Sequence, residues 1–129
     1  MQKILSKKEI RKLLPDRRKD VCKTDFGHIL ILAGSRGMTG AGVLCGLGAL
    51  RSGAGLVTIG CAESLIDILA SQEAELMTLP LPETEEQTLS SNAFEPIKDF
   101  VERRKVSVLA IGPGLSTHVE TVKLVQSIL

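Results

Sequence analysis

Nine of the twelve glycines lie between Gly34 and Gly60, behind an apolar run and at the head of a helical pattern. The chemistry to weigh first is therefore a loop whose backbone amides cradle an anion. The standard phosphate signatures do not fit it. Counting from Gly40-Ala-Gly42, the third position of a G-x-G-x-x-G fingerprint is Cys45, and no G-x-x-x-x-G-K-[ST] occurs. What remains is a backbone nest leading into a helix N-terminus, where free N–H groups and the helix dipole favour negative charge. Tight turns and close packing explain the same glycines equally well. A second loop, Gly112-Pro-Gly114, follows another apolar run. There Pro113 stiffens the turn and the glycines let a ligand approach the backbone, with turn chemistry as the plain alternative.

Acid–base candidates are scarce. There is no nucleophile elbow, no H-E-x-x-H helix and no close Ser/His/Asp grouping. His28 and His118 each stand alone and read as structural hydrogen-bonding residues, while Lys23 and Asp25 read as a solvated turn before a strand. No catalytic residue is assigned. Cys22, Cys45 and Cys61 are an odd count without a C-x-x-C pair or a histidine at ligand spacing, so neither a disulfide framework nor a metal site is expected. A reducing, cytoplasmic compartment is the simplest setting.

The elements that would position the two loops follow from hydrophobic periodicity. Ser6 and Glu9 form a capping-box pattern for a short helix to about Leu14, closed by Pro15. His28 to Ala33 is a continuous apolar run of the kind found in strands covered on both faces. Gly40 to Ser52 is helical and apolar around nearly its whole circumference, which predicts burial between layers. Gly46 and Gly48 inside it predict a close neighbour on that face. Strands are expected at Leu56–Gly60, Glu75–Leu81 and Val106–Ile111. Helices are expected at Glu63–Ser71, from an Asn92 cap to Arg104, and from His118 to Leu129 with Val119, Val122, Val125 and Leu129 on one stripe. Pro80, Pro82 and the acidic run Glu83 to Glu86 suggest an exposed loop through Ser91. The alternation predicts an α/β three-layer sandwich with a mostly parallel sheet. In such sheets ligands sit beyond the carboxyl ends of the strands, here 34–42 and 112–117.

Composition limits the partners. With 129 residues, 43% hydrophobic and 24% charged at net charge +1, the chain fits one ordinary domain. No apolar run exceeds Ile29 to Ala33, so no membrane span is expected. There is no Trp or Tyr and only three Phe, so stacking platforms for nucleic acid are nearly absent. Residues 1–25 form a basic arm, nine cations against four carboxylates, which reads as solvated surface rather than a nucleic-acid patch, secretory signal or mitochondrial presequence.

Four blocks together resemble a known family: Lys23-Thr-Asp-Phe-Gly-His28, Ile31-Leu-Ala-Gly-Ser-Arg-Gly-Met-Thr-Gly-Ala41, Ala49-Leu-Arg-Ser-Gly-Ala-Gly-Leu-Val-Thr58 and Ala110-Ile-Gly-Pro-Gly-Leu115. They are similar to the NAD(P)H-hydrate dehydratases, the carbohydrate-kinase-like enzymes with a ribokinase-like fold known as the YjeF C-terminal domain. The likeness runs in order from about Leu5 to Leu129. It implies a lyase reaction of metabolite repair, in which hydrated NADH or NADPH is dehydrated with hydrolysis of ADP in bacterial members or ATP in eukaryotic ones. Nucleotide phosphate would pass to the hydrate hydroxyl and then leave, with Mg2+ as the expected ion. By the same resemblance Ala41, Gly42, Gly112 and Gly114 would line the hydrated-dinucleotide site, and the full family member would be a homo-oligomer.

Two departures qualify the resemblance. Where the family commonly has H-K-G before D-F-G, this chain has Cys22-Lys23-Thr24. The family domain is also longer, and its G-T-G-D motif, whose Asp is the catalytic base, has no match here. Residues 1–129 are therefore expected to be the N-terminal part of one such domain, supplying substrate loops without the base and inactive alone. The alternatives within reach are an ATP-dependent member, a ribokinase-like small-molecule kinase, and a non-catalytic dinucleotide-binding fragment.

Overall fold

A computed structural model describes residues 4–14 and 19–129. Pro15, expected to close the first helix, and the basic residues Lys3, Arg17 and Arg18 lie outside the described residues. Helix α1 (Lys7–Leu13) begins at Ser6, whose side chain accepts from the Glu9 N–H while the Glu9 carboxylate accepts from the Ser6 N–H, so the capping box forms. None of its residues is buried.

The chain then alternates strands and helices. These are β1 (His28–Leu32), α2 (Thr39–Ser52), β2 (Leu56–Ala62), α3 (Ile66–Ala70), β3 (Met77–Leu81), α4 (Phe94–Arg104), β4 (Val108–Ile111) and α5 (Val119–Ile128). The four strands form one parallel sheet in the order β3-β2-β1-β4. Strand β1 is central, and its side chains divide by the period of two. Ile29 and Ile31 face a core shared with Val43 of α2 and Leu69 of α3, whereas Leu30 and Leu32 face Ile97 and Phe100 of α4 and Leu124 of α5. Both faces of the sheet are thus covered by helices, which is why the strand reads as an unbroken apolar run. Pro80 is accommodated because β3 pairs only with β2 among the described residues and Pro has no N–H to lose on its other edge. No helix among the described residues is long and apolar enough to cross a membrane.

The structure departs from the sequence expectations at three places. Helix α2 is not enclosed on all sides: Gly42, Val43 and Gly46 are buried, but Leu44 is 73% exposed. Gly46 has the expected close neighbour, since a Cβ there would stand 2.7 Å from Leu76 Cδ2, whereas Gly48 has nothing within 4 Å. The apolar stripe of α5 points outward, with Val119 61% exposed, and the buried residues are Thr121 and Leu124. A threonine takes that place because its hydroxyl donates to the Leu89 carbonyl at 2.8 Å and lies 3.1 Å from Thr88 Oγ1. For the same reason the segment after β3 is not exposed throughout. Its acidic tip is, but Thr88, Leu89 and Ser90 are buried under α5, Leu89 to 1% exposure. Finally, Ser90 rather than Asn92 starts the turn into α4, accepting from the Asn92 N–H at 3.2 Å.

Candidate functional site

The sheet order brings the two glycine loops together. Leu32 pairs with Ile111 in adjacent parallel strands, so residues 34–42 and 112–117 leave the sheet side by side at its carboxyl edge. They are then tied to one another. The Gly34 N–H donates to the Pro113 carbonyl at 2.8 Å, and the Ser35 hydroxyl donates to the Gly114 carbonyl at 2.8 Å. Ser35 is buried. It is the one functional residue the sequence reading passed over, and its position between Gly34 and Arg36 was the available signal. A third segment joins when the Arg36 N–H donates to the Gln87 carbonyl at 3.3 Å.

Helix α2 starts directly above this floor. Its N-cap, Met38, makes no side-chain cap hydrogen bond; the Ala41 N–H is taken by the Met38 carbonyl at 3.3 Å, and no side chain caps the amides of Thr39 and Gly40. Those amides, the helix dipole and the exposed Arg36 favour a negative group. The four residues expected at the site are distributed around it. Ala41 lies in the first turn of α2. Gly42 is buried, and a Cβ on it would press on Ala33 and Ile59 at 3.3 Å, so its lack of a side chain serves the helix–sheet contact. Gly114, at φ +67°, is wedged under α2: a Cβ there would lie 2.7 Å from the Met38 carbonyl oxygen and 2.9 Å from Ala41 Cβ. Gly112, at φ +135°, opens onto free space.

No acid or base points into this cradle from the two loops, whose side chains are those of Ser, Arg, Met, Thr, Ala, Pro and Leu. Cys61 lies beneath Gly34, but burial, with Glu83 adding to it, pushes its thiol up to about 12, and it stays protonated at neutral pH. Both histidines make hydrogen bonds within the fold. His118 caps α5, its Nδ1 accepting from the Glu120 N–H at 3.2 Å, and His28 pairs with Thr58 at the far end of β1. The Asp25 carboxylate accepts from the Cys22 N–H at 2.7 Å, which holds its pKa below the ordinary value and fixes the turn before β1. Among the described residues no three of His, Cys, Asp and Glu converge to hold a metal ion. The two glycine loops carry no carboxylate of their own that could hold Mg2+.

Beside the cradle, Glu83, Glu85, Glu86, His118 and Glu120 line an acidic cleft of about 420 Å3. Glu120 is its organising residue, accepting from the Ser90 hydroxyl at 2.6 Å and from the Ser91 N–H at 3.2 Å. Those hydrogen bonds, the Ser90 one foremost, lower its pKa from the ordinary 4.5. A carboxylate with a depressed folded pKa adds stability that is complete above its unfolded value and fades as pH falls through the folded one. The α5–Ser90 contact is therefore expected to loosen on acidification below about 4.5. Glu120→Gln should flatten that part of the pH dependence, read from urea midpoints along a pH series.

A family model described as NAD(P)H-hydrate dehydratase matches residues 29–129. The bifunctional NAD(P)H-hydrate repair enzyme Nnr of Moorella thermoacetica is 41% identical over 99% of this chain, which covers 24% of that protein. The crystal structure of the ADP/ATP-dependent NAD(P)H-hydrate dehydratase from Bacillus subtilis, co-crystallised with ATP/Mg2+, superposes with a TM-score of 0.72 at 30% identity, covering 96% of this chain and 41% of that one. A ribokinase-like superfamily protein from Enterococcus faecalis shares the fold at a TM-score of 0.76 and 24% identity. The chain thus spans well under half the length of these relatives.

Proposed function

Since the chain belongs to the NAD(P)H-hydrate dehydratase family, we propose that residues 1–129 form the substrate-side part of an ADP-dependent (S)-NAD(P)H-hydrate dehydratase. The observation that carries this is the pair of hydrogen bonds, Gly34 N–H to Pro113 and Ser35 hydroxyl to Gly114, that fuses two glycine loops beneath a helix N-terminus without a side-chain cap. Such a cradle suits the pyrophosphate and amide groups of a dinucleotide. Ala41, Gly42, Gly112 and Gly114 are its proposed lining.

The cradle holds its ligand with backbone groups and offers no side chain that could take or give a proton. In this reading the base, the nucleotide loops and the donors for Mg2+ belong to polypeptide outside these residues. The division of labour is plain: this part binds and orients the hydrated ring, and the remainder activates the nucleotide, ADP or in other members ATP. By the family resemblance, a homo-oligomer is the proposed working form of the full protein. The cytoplasm, where the nicotinamide coenzymes turn over, is the proposed compartment.

The test compares two polypeptides in one assay, nucleotide-dependent return of hydrated NADPH to NADPH. The full polypeptide carrying these residues is expected to be active with ADP, and residues 1–129 alone inactive. Activity from residues 1–129 alone would overturn the division of labour, and a full polypeptide inactive with both ADP and ATP would overturn the function.

A further inference from the structure

A cleft of about 290 Å3 opens at the opposite, amino-terminal edge of the sheet. It is separated from the glycine loops by the length of β1, roughly 20 Å at ~3.3 Å per residue. Its floor is made by His28 and Thr58, its apolar wall by Leu56, Met77 and Phe100, and its rim by Arg104 and Lys105. The volume is at the small end for ligand sites, and the mix of apolar wall and few polar groups is typical of them.

His28 is the telling residue. It is 6% exposed, its Nε2 lies 2.8 Å from Thr58 Oγ1, and its ring meets Phe100 edge-on at 5.7 Å. Its other ring nitrogen, Nδ1, makes no hydrogen bond. No fully buried side-chain nitrogen or oxygen among the described residues lacks a partner. Nδ1 therefore reaches the open space of the cleft. In the tautomer where the Thr58 hydroxyl donates to Nε2, the Nδ1–H is a donor open to the cleft.

The cations above it are equally unspent. Arg103 is committed, its Nη2 2.7 Å from Asp99 Oδ2. Arg104 and Lys105 have no carboxylate partner among the described residues, and the Arg104 guanidinium sits 6.0 Å over the Phe100 ring. Lys105 ends α4 at φ +51°, a left-handed position where glycine would be unstrained.

We propose that this cleft binds a small aryl oxyanion, one aromatic ring carrying a phosphate or a carboxylate. The ring packs against Leu56, Met77 and Phe100, and the oxyanion is held by His28 Nδ1–H, Arg104 and Lys105. Ligand here joins β1, β2 and α4, so occupancy stabilises the fold by mass action and is independent of the reaction at the far edge.

The test titrates phenyl phosphate, benzoate and inorganic phosphate into the full polypeptide carrying 15N-labelled histidine. Saturable shifts of the His28 ring nitrogens are expected with an aryl anion, with inorganic phosphate at least tenfold weaker because it has no ring to bury. The preferred head group identifies the natural class. Arg104→Gln and Lys105→Gly should each weaken the aryl anion about tenfold, and Lys105→Gly should do so without lowering the thermal midpoint, since it relieves the backbone. Absence of His28 shifts, equal affinity for inorganic phosphate, or unchanged affinity in Lys105→Gly would overturn the proposal.

Discussion

Gly114→Ala in the full polypeptide is expected to lower kcat/KM for hydrated NADPH about a hundredfold while leaving a folded protein, because a displacement of about 1 Å in a binding cradle has that effect. Two causes act together. At φ +67° an alanine is strained by about 1–2 kcal/mol. Its Cβ would also meet the Met38 carbonyl oxygen at 2.7 Å and Ala41 Cβ at 2.9 Å, both part of the start of α2, so the helix N-terminus must lift off the floor. Gly112→Ala separates the two causes. It too has positive φ, +135°, but nothing lies within 4 Å, so it should strain the turn and spare the cradle. Steady-state kinetics on both variants check this, and equal losses would show that the wedge under α2 does not matter.

Gly55→Ala is expected to be the most destabilising single methyl in the chain, about 4 kcal/mol or more, or to prevent folding. The position ends the link from α2 to β2, where the segment leading into β1 crosses. The Gly55 N–H donates to the Phe26 carbonyl at 3.3 Å and the Leu56 N–H to the Gly27 carbonyl at 3.1 Å. A Cβ at Gly55 would run into the Lys23 carbonyl oxygen, with the Gly27 carbonyl oxygen 3.1 Å away. Both obstacles are backbone, and neither can rotate aside as Leu76 can next to Gly46. The collision falls on the turn held by Cys22 and Asp25, so the first strand's entry into the sheet is what gives way. Urea midpoints of Gly55→Ala and Gly48→Ala make the comparison, since a methyl at Gly48 has free space around it.

The strands were legible because a segment buried on both faces has no choice but to be apolar, and His28–Leu32 shows it. The capping box at Ser6 and the site's glycine loops were legible for a similar reason: a cap or a positive φ restricts the residue type almost to a signature. Where a polar residue is satisfied by a distant partner, the pattern misleads. Thr121 faces inward because it reaches Leu89, 32 residues away, and the outward valines of α5 then imitate a core stripe. Leu89 itself hides in a segment of acids and prolines. Helix α2 misled in the opposite direction, since its small residues serve the sheet while Leu44 faces out. At the site, the glycines were visible but not their division of labour. That Gly114 wedges under α2 depends on β1 and β4 being neighbours, and that Gly42 packs depends on α2 lying over Ala33 and Ile59; no local window contains either.

That adjacency also fixes when the protein becomes able to bind. Ser35 and Gly114 are 79 residues apart in the chain, as are His28 and Ser107, whose hydroxyl accepts from the His28 N–H. Strands β1, β2 and β3 lie in sheet positions that fill in the order of synthesis, but the place on the other side of β1 stays empty until β4 is made. Nascent domains emerge N-terminus first, and contacts of long sequence separation form last. The glycine loop after β1 thus spends part of its early life without a floor. Binding competence is therefore a late event in the folding of this protein.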